Sequence, residues 1–375
     1  MLYVELLFIR SKAGDDMKKT VIYGAQAIAL GTYEAIKIIN PESSIDCFLV
    51  SQMDGNPPFV SGIKVELLLD YLNSISGTDK DDIEVLICTP EDLMQEIVGE
   101  LEKVELFKYK KVDSRCFAEL QEKAFAVTKE FFSIRSFYKG NAKPVVKIYK
   151  MIHEKDRKLS SEIQLNVGTI DLQVGAALSN KRMAELADDM GNNISRKNPY
   201  YSELTGLYWI WKNELIHVDS GEAYYGLAHY RRFLDLSDED VYRLLNNQID
   251  VVLPYPLPYE PNMESHHRRY LSKQEWKSTI SAIEELYPEK VQDYRRVLSQ
   301  RYLFNYNIIL AKREVLNDYC EWLFPILSRV ETINALSGEE NNRYIGYIAE
   351  TLETMYFMSK KNELKIACCG VRFIA

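Results

Sequence analysis

Apolar and polar positions in the first third of the chain alternate between short apolar runs and amphipathic segments. The runs TVIYG, SIDCFLV and IEVLICTP are rich in β-branched residues, which predicts strands. The segments AQAIALGTYEAIKIIN and EDLMQEIVGELEKV repeat their apolar residues with a helical period, so both predict helices. Strands that alternate with helices in this way indicate a small parallel sheet of Rossmann-like type.

Gly24 follows the first predicted strand, at the place where dinucleotide-binding folds carry a glycine-rich turn. The fingerprint GxGxxG is absent, because Gln26 stands where the second glycine belongs. The segment is similar to the small Rossmann-like domains attached to sugar-modifying and polysaccharide-assembly enzymes. We expect a domain that binds no nucleotide tightly.

A domain boundary is expected near Gly140–Pro144, where the apolar run PVVKIYKMIH predicts a new strand. The first domain then covers residues 17–140 and the second covers residues 144–375. Residues 1–16 precede MKKTVIYGAQ, which resembles a natural protein start, and we assign them no role.

The second domain contains the aromatic segment NPYYSELTGLYWIWKNE, which predicts one helix from Pro199 to about Glu214. Asn198 is a suitable cap for this helix, and proline is favoured at a first helical position. Most of the aromatic residues are expected in the core. Glu203 lies in the first turn, where a carboxylate suits the helix dipole, so a structural and a catalytic role are both open.

A basic cluster follows the apolar run YYGLA, which predicts a buried strand. Side chains alternate along a strand, so His229 and Arg231 are expected on one face and Arg232 on the other. Arginine makes bidentate contacts to phosphate, and ligands of open α/β sheets bind at the carboxyl ends of strands. The cluster predicts an anion site. The alternative is that one arginine pairs with an acid such as Asp235 and the other is solvated.

A second basic cluster, His266-His267-Arg268-Arg269, follows a strand and a proline-rich loop. Its place after a second strand end favours the same anion site, with the loop as a cover. The alternative is a solvated helix start.

The last helix is predicted in NNRYIGYIAETLETMYF, where Arg343, Tyr347 and Glu350 are spaced i, i+4, i+7. Residues at this spacing share one side of a helix. A carboxylate flanked by arginine and tyrosine is a candidate general base or sugar-binding acid. The alternative is an ion pair on the helix surface.

Composition limits these interpretations only slightly. A net charge of −9 and a pI near 5.3 argue against a general nucleic-acid binder but not against a local basic pocket. The six cysteines form no CxxC pair, and no secretion signal is evident, so reduced thiols in a cytoplasmic protein are expected.

Taken in order, the blocks LQVGAAL, NISRKNPYYSELTGLYWIWKN, YYGLAHYRRF, FNYNIILAKREVLNDYCEWLFPIL and RYIGYIAE resemble a known family. It is the domain of unknown function found in bacterial capsular and exopolysaccharide biosynthesis proteins. Some members are glycosyltransferases, among them galactofuranosyltransferase domains. The resemblance covers roughly residues 145–360. It implies a nucleotide-sugar-dependent glycosyltransferase with a GT-A-like α/β domain built on a mostly parallel central sheet.

The resemblance also implies roles for individual residues. The basic residues at the strand end would hold the diphosphate of a UDP-sugar in place of the metal that Asp-x-Asp binds in ordinary GT-A enzymes. A divalent Mn or Mg ion is therefore not favoured. Glu350 is the first candidate for the general base, and Asp189 is the second. The expected donor-binding residues are Gly175, Ala176, His229, Arg231, Arg232 and His267. The expected acceptor or pocket residues are Tyr200, Glu203, Trp209, Arg343 and Tyr347.

The implied acceptor is a surface polysaccharide or its lipid-linked precursor, which places the protein in the cytoplasm or at the inner face of the cell membrane. The galactofuranosyl members imply an inverting reaction. One departure is Asn192, because the family usually has aspartate in G-D-N-I-S; Asp188 and Asp189 lie beside it.

Two other functions remain open at this point. The first is a non-catalytic nucleotide-sugar-binding or scaffold subunit of a polysaccharide assembly complex, which Asn192 and the incomplete glycine motif favour. The second is a cofactor-dependent sugar-modifying enzyme, against which Gln26 argues.

Overall fold

The computed structural model describes residues 19–75, 80–159, 167–216, 222–267, 269–335 and 343–374, but not the side chain of His267. The extension 1–16 lies outside the described residues. The chain divides into two compact units. The first comprises the described residues up to Phe131 and Leu257–Glu260, and the second comprises Phe132–Pro256 and Pro261–Ile374. Residues 132–143, around the expected boundary, thus belong to the second unit.

The first unit is a Rossmann-like α/β unit, as the alternating pattern predicts. Its strand order is β3-β4-β2-β1-β5-β6, and all neighbours are parallel except β3 and β4. The strands are β1 (Lys19–Tyr23), β2 (Phe48–Val50), β3 (Phe59–Val60), β4 (Ile63–Leu67), β5 (Ile83–Ile87) and β6 (Tyr109–Lys111). The helices are α1 (Ala27–Ile39), α2 (Leu68–Ser74), α3 (Glu91–Lys103) and α4 (Ser114–Thr128).

Gly24 has a packing role in this unit. Its φ is +123°, and a Cβ atom there would lie 2.5 Å from the carbonyl oxygen of Cys88. Glycine is required because the chain leaves β1 against the end of β5. The residue is explained without any bound nucleotide.

The second unit is built on a mostly parallel sheet of order β16-β12-β15-β10-β7-β8-β9, with β11 paired to β10 and β17. Its strands are β7 (Val145–Ile152), β8 (Thr169–Gln173), β9 (Leu186–Ala187), β10 (Ala223–His229), β11 (Arg232–Leu234), β12 (Val251–Pro254), β15 (Ile309–Lys312), β16 (Ile366–Cys369) and β17 (Val371–Phe373). Two short strands, β13 (Leu257–Pro258) and β14 (Tyr302–Leu303), lie outside this sheet. The predicted central sheet is confirmed.

The helices of the second unit are α5 (Asn198–Tyr201), α6 (Leu204–Trp209), α7 (Asp238–Asn246), α8 (Met263–His267), α9 (Lys273–Leu286), α10 (Val291–Leu298), α11 (Arg313–Ala335) and α12 (Tyr344–Ser359). Within the described residues, no helix is long and apolar enough to cross a bilayer. The six cysteines are buried and form no disulfide.

Strand direction decides where functional residues meet in this sheet. β7, β8 and β10 are parallel, whereas β15 is antiparallel to β10. The carboxyl end of β10 therefore lies beside the start of β15, with Leu227 opposite Ile309. Ligands of α/β sheets bind at such an edge.

Candidate active site

The basic cluster after β10 is a tight hairpin. β10 ends at His229, the chain turns at residues 230–231, and β11 runs back so that His229 and Arg232 are direct cross-strand partners. Cross-strand partners project to the same face of a sheet. The prediction that His229 shares its face with Arg231 is therefore wrong, because the alternation of an extended strand does not continue through a two-residue turn.

The two arginines of the hairpin have different surroundings. The guanidinium of Arg232 lies 4.7 Å from the ring centroid of Tyr306, and no described carboxylate is within ion-pair distance of it. Arg231 lies 4.9 Å from the ring of Phe373. The charge of Arg231 acts on Asp156. Arg232 is thus the arginine of the pair that lies next to Tyr306.

Asp235 is not the partner of either arginine. Its carboxylate pairs with Arg135 at 3.0 Å and with Arg372 at 3.5 Å. The alternative that an arginine of the hairpin is neutralised by Asp235 is therefore excluded.

His229 is tied to the loop that precedes β15. Its Nε2 lies 2.6 Å from the carbonyl oxygen of Tyr306, and a carbonyl can only accept, so Nε2 carries the proton. Desolvation lowers the pKa of His229, while the charge of Glu203 acts in the opposite direction. A neutral His229 adds no positive charge for an anion, and its contact in the structure is to the backbone.

The loop before β15, in the sequence FNYN, connects the two sides of the site. Tyr306 and Asn307 have φ of +79° and +50°. The Tyr306 N–H donates to Glu350 Oε1 at 3.2 Å. Asn307 Nδ2 donates to Glu203 Oε1 at 2.7 Å and to the carbonyl of Gly346 at 3.2 Å. Sequence reasoning missed this loop, although asparagine is enriched in the left-handed region and two asparagines flank the tyrosine.

Glu203 enters the site because the predicted helix is broken. Ser202 has φ +50° and ψ −127°, α5 ends before it, and α6 begins after Glu203. Asn198 does not cap the start as predicted; its Nδ2 donates to the Ser202 carbonyl at 2.8 Å and to Thr205 Oγ1 at 3.0 Å. The single helix from Pro199 to about Glu214 is therefore wrong, and its last turn, Ile210–Glu214, is a π-helix.

We expect Ser202→Gly to raise the free energy of unfolding by about 1 kcal/mol, because relief of about 1–3 kcal/mol of backbone strain exceeds the added entropy of the unfolded chain. Urea unfolding at neutral pH measures the change. Ser299→Gly is the matched control, since Ser299 has φ −79° and should lose stability. A loss of stability in Ser202→Gly contradicts the assignment of strain to this residue.

Glu350 is a partly exposed carboxyl on α12. Its burial and the nearby charge of Glu203 raise its pKa to about 8, against the opposing effects of the Tyr306 N–H, Arg232 and Arg343. Arg343 is not part of the helical stripe, because it lies just before α12 with φ +70°. Its charge nevertheless still reaches Glu350. A carboxyl with a pKa near neutrality can take up and release a proton during a reaction.

Glu353 lies one helical turn beyond Glu350 and was not foreseen. It is 1% exposed, and its Oε2 has no hydrogen-bond partner among the described residues. Burial raises the pKa of Glu353 well above its usual range, and the charges of Glu350 and Glu203 act in the same direction. Two carboxyls whose pKa values are raised by burial, Glu350 and Glu353, therefore lie one turn apart on α12, near the charge of Glu203. The sequence signal was a second glutamate in the segment ETLETM.

The backbone of the segment LQVGAAL is bound by the buried carboxylate of Asp188. The N–H groups of Gly175 and Ala176 donate to Asp188 at 2.8 and 3.0 Å, and Ser195 Oγ donates to it at 2.5 Å. Asp188 is fully buried. These two amides are therefore already bonded within the protein, and the nucleotide contact expected for Gly175 and Ala176 stays a prediction.

The structure does not bring Asp189 to the glutamates. Both of its oxygens are bound by Arg182, at 2.9 and 3.1 Å. Asn192 bonds through its backbone N–H to Asn213 Oδ1 at 3.0 Å. The buried Trp209 donates to the carbonyl of Met190 at 2.9 Å. These contacts are structural, and the predicted roles of Asp189 and Trp209 in the site stay untested.

The remaining candidates lie in different surroundings. Tyr200 packs edge-to-face on Tyr344 at 6.0 Å. The side chain of His267 lies outside the described residues. His266 is buried, and burial with the nearby Arg269 lowers its pKa to about 4, so it is neutral rather than an anion-binding cation. Within the described part of the chain, no three His, Cys, Asp or Glu residues are grouped to hold a metal ion.

Comparisons with known proteins fit this architecture. Residues 147–362, more than half of the chain, match the family DUF4422, a domain of unknown function. The apo structure of WbbM, a bifunctional glycosyltransferase, matches with a TM-score of 0.53 and 28% identity. That match covers 62% of this chain and 45% of WbbM, so the chain spans less than half of that protein. No curated protein sequence matches. The structural likeness confirms the predicted GT-A-like α/β fold.

Proposed function

The chain belongs to the DUF4422 family, and from this premise we propose that it is a glycosyltransferase that moves a sugar from a UDP-sugar to a saccharide acceptor. The observation that carries the proposal is the partly exposed Glu350, with its pKa of about 8, beside the charge of Arg232 at the carboxyl edge of the sheet. This edge is where α/β sheets bind ligands. The likeness to WbbM supports the reaction class.

Glu350 is the proposed general base. Its carboxylate takes the proton of an acceptor hydroxyl while that oxygen attacks the anomeric carbon of the donor. The bond from the anomeric carbon to the diphosphate oxygen breaks, and UDP leaves with the electron pair. A single displacement of this kind inverts the anomeric centre. A base whose pKa lies near the working pH is the most effective one.

Arg232 is the proposed partner of the departing diphosphate, with Arg343 adding charge. A guanidinium offers a planar fork of donors that matches phosphate oxygens. A positive charge fixed beside a leaving group stabilises the developing negative charge more strongly in a site that excludes water. The proposal gives the role of the metal to Arg232 because it lies opposite His229, the last residue of β10, at the strand end where the family resemblance places the diphosphate.

The finer points of the proposal come from the family resemblance. The donor would be UDP-galactofuranose or another UDP-hexose, and the acceptor a capsular or other surface polysaccharide or its lipid-linked precursor. A lipid-linked acceptor would place the reaction at the inner face of the cell membrane. The first unit has no assigned part in the reaction.

One observation favours the non-catalytic alternative, a nucleotide-sugar-binding or scaffold subunit. The amides of Gly175 and Ala176 are occupied by Asp188, and Asp189 is occupied by Arg182. A subunit of this kind would bind UDP yet consume no UDP-sugar, so donor turnover separates the two functions.

A thermal-shift screen tests the proposal with UDP, GDP, CDP and their sugars, each in EDTA and in manganese. We expect stabilisation by a UDP-sugar in EDTA, by about 2.7 kcal/mol at a hundredfold excess of ligand over its Kd. Stabilisation only with manganese would contradict the role of Arg232, and no stabilisation by any nucleotide would contradict donor binding. A turnover assay with the stabilising UDP-sugar then distinguishes an enzyme from a scaffold.

A further inference from the structure

Tyr270 is an aromatic residue held in place yet exposed beside the carboxyl cluster. Half of its surface (50%) is exposed. Its ring stacks on Tyr347 with centroids 5.2 Å apart and an angle of 24° between the planes. His266 packs against it edge-to-face at 5.3 Å. An exposed tyrosine with neighbours on two sides is fixed before any ligand arrives.

The residues that hold Tyr270 in place, His266 and Tyr347, contact it through their rings. His266 is buried and neutral, since burial lowers its pKa to about 4. Tyr347 belongs to α12, and His266 to α8, so two helices fix the ring. A side chain that is already ordered loses little conformational entropy when a ligand binds to it.

The stacked pair lies next to the proposed base. Tyr347 and Glu350 are three residues apart on α12, which places them as neighbours on one side of the helix. Tyr270 is close enough to Glu350 to feel its charge: burial, then Tyr347, then Glu350 raise the pKa of Tyr270, and Arg269 lowers it. Arg232 lies over Tyr306, on which the charges of Glu350 and Tyr270 also act. Glu350 thus lies near both the aromatic pair and the arginine.

We propose that Tyr270, backed by Tyr347, is a stacking platform for a sugar ring of the acceptor. One face of a hexopyranose carries mainly C–H groups, and the hydroxyls lie around its edge. The C–H face would rest on the aromatic ring, whose apolar body and polar hydroxyl suit such a ligand. A hydroxyl at the edge of the sugar would then face Glu350. The assignment of this sugar as acceptor rests on the proposed function of Glu350.

A nucleobase is the other planar ligand that an exposed tyrosine could receive. The donor diphosphate is proposed to lie at Arg232, whereas the acceptor hydroxyl must reach Glu350, the residue next to the stacked pair. The position of the pair therefore favours the acceptor sugar, and the nucleobase becomes an outcome of the test.

Saturation-transfer NMR on the full chain tests the platform without requiring turnover. The probes are the methyl β-pyranosides of glucose, galactose and N-acetylglucosamine, with UDP measured separately. We expect saturation of the ring C–H protons in the wild type, a loss of about tenfold in affinity in Tyr270→Ala, and recovery in Tyr270→Phe. Tyr138→Ala is the control, because Tyr138 is also exposed (76%) and its backbone carbonyl bonds to Asn247.

Each outcome decides the platform. It is overturned if no glycoside binds the wild type, if Tyr270→Ala binds glycosides as the wild type does, or if only UDP binding depends on Tyr270, which would indicate a nucleobase. If glycoside binding depends on Tyr270 but no UDP-sugar is turned over, the proposed function fails while the saccharide site stands. Circular dichroism of each variant excludes unfolding as the cause.

Discussion

Glu350→Gln is expected to lower kcat by about 10²–10⁴-fold, the usual contribution of a positioned general base. Glutamine keeps the shape of the side chain and can still accept the Tyr306 N–H through its amide oxygen, but it cannot take the acceptor proton. The affinity for UDP should remain close to that of the wild type, because the diphosphate is assigned to Arg232. Steady-state kinetics with the UDP-sugar that stabilises the protein, together with UDP titration, measure both quantities.

The same substitution has a signature in pH dependence. Since Glu350 must be ionised to act, wild-type kcat/KM should rise with pH through the pKa of about 8, and the residual activity of Glu350→Gln should not. Stability follows the opposite direction. The pKa of Glu350 in the folded protein lies above its ordinary value of 4.5. The stability that the protonated carboxyl contributes is therefore complete below pH 4.5 and is lost as the pH rises through 8. Glu350→Gln should therefore gain stability over the wild type at pH 9 and not at pH 4.

Glu363→Gln is the matched control, because Glu363 is exposed just beyond α12. It should change neither kcat nor the pH profile. If Glu350→Gln keeps wild-type kcat, or if its pH profile follows that of the wild type, another group is the base. The charge of Glu350 raises the pKa of the neighbouring Glu353, so the measured midpoint reports the coupled titration of these two carboxyls.

Arg232→Ala is expected to lower kcat/KM for the UDP-sugar by about 10²–10³-fold, which is typical of removing one donor that stabilises a developing charge. Arg232→Lys keeps the charge but loses the planar fork, so an intermediate loss is expected. UDP binding by calorimetry should weaken in the same order. Arg232 makes no ion pair with a described carboxylate and acts on Glu350 only through its charge, so the folded state should persist.

Two further variants complete this test. Arg296→Ala is the control, because Arg296 is 77% exposed and pairs only with Asp293 among the described residues. Arg231→Ala decides whether both arginines of the hairpin hold the diphosphate, as the sequence predicts, or only Arg232. Unchanged UDP affinity in Arg232→Ala would remove the arginine from the donor site.

The elements that carry the fold could be read from the sequence because their patterns are local. The β-branched runs predict β1, β5 and β7, the apolar run YYGLA predicts β10, and helical periods predict α1 and α3, each stabilised by the face that it buries. The mostly parallel sheet followed from their alternation. His229 was placed correctly at the end of a strand, whereas Arg232 begins the next strand, β11.

The geometry of the site depended on features that periodicity does not encode. Nothing in NPYYSELTGLYW marks Ser202 as a break, since the side chain of Asn198 stabilises it from four residues away. The hairpin after β10 places His229 on the same face as Arg232 rather than Arg231. This turn was not predicted because its residues, Tyr230 and Arg231, carry no glycine or asparagine signal. Glu353 looked like an ordinary helix residue because burial is decided by tertiary packing.

The left-handed pair Tyr306–Asn307 has a practical consequence for engineering the proposed saccharide site. A mutagenesis library that randomises every residue around Glu350 would contain many variants of this loop. β-branched and bulky replacements at Tyr306 and Asn307 would be strained whatever ligand is offered. Tyr270 stands on a helix connection and keeps half its surface in solvent. Randomising Tyr270 while leaving the loop intact would vary the proposed acceptor contact and keep the proposed base, Glu350, in place.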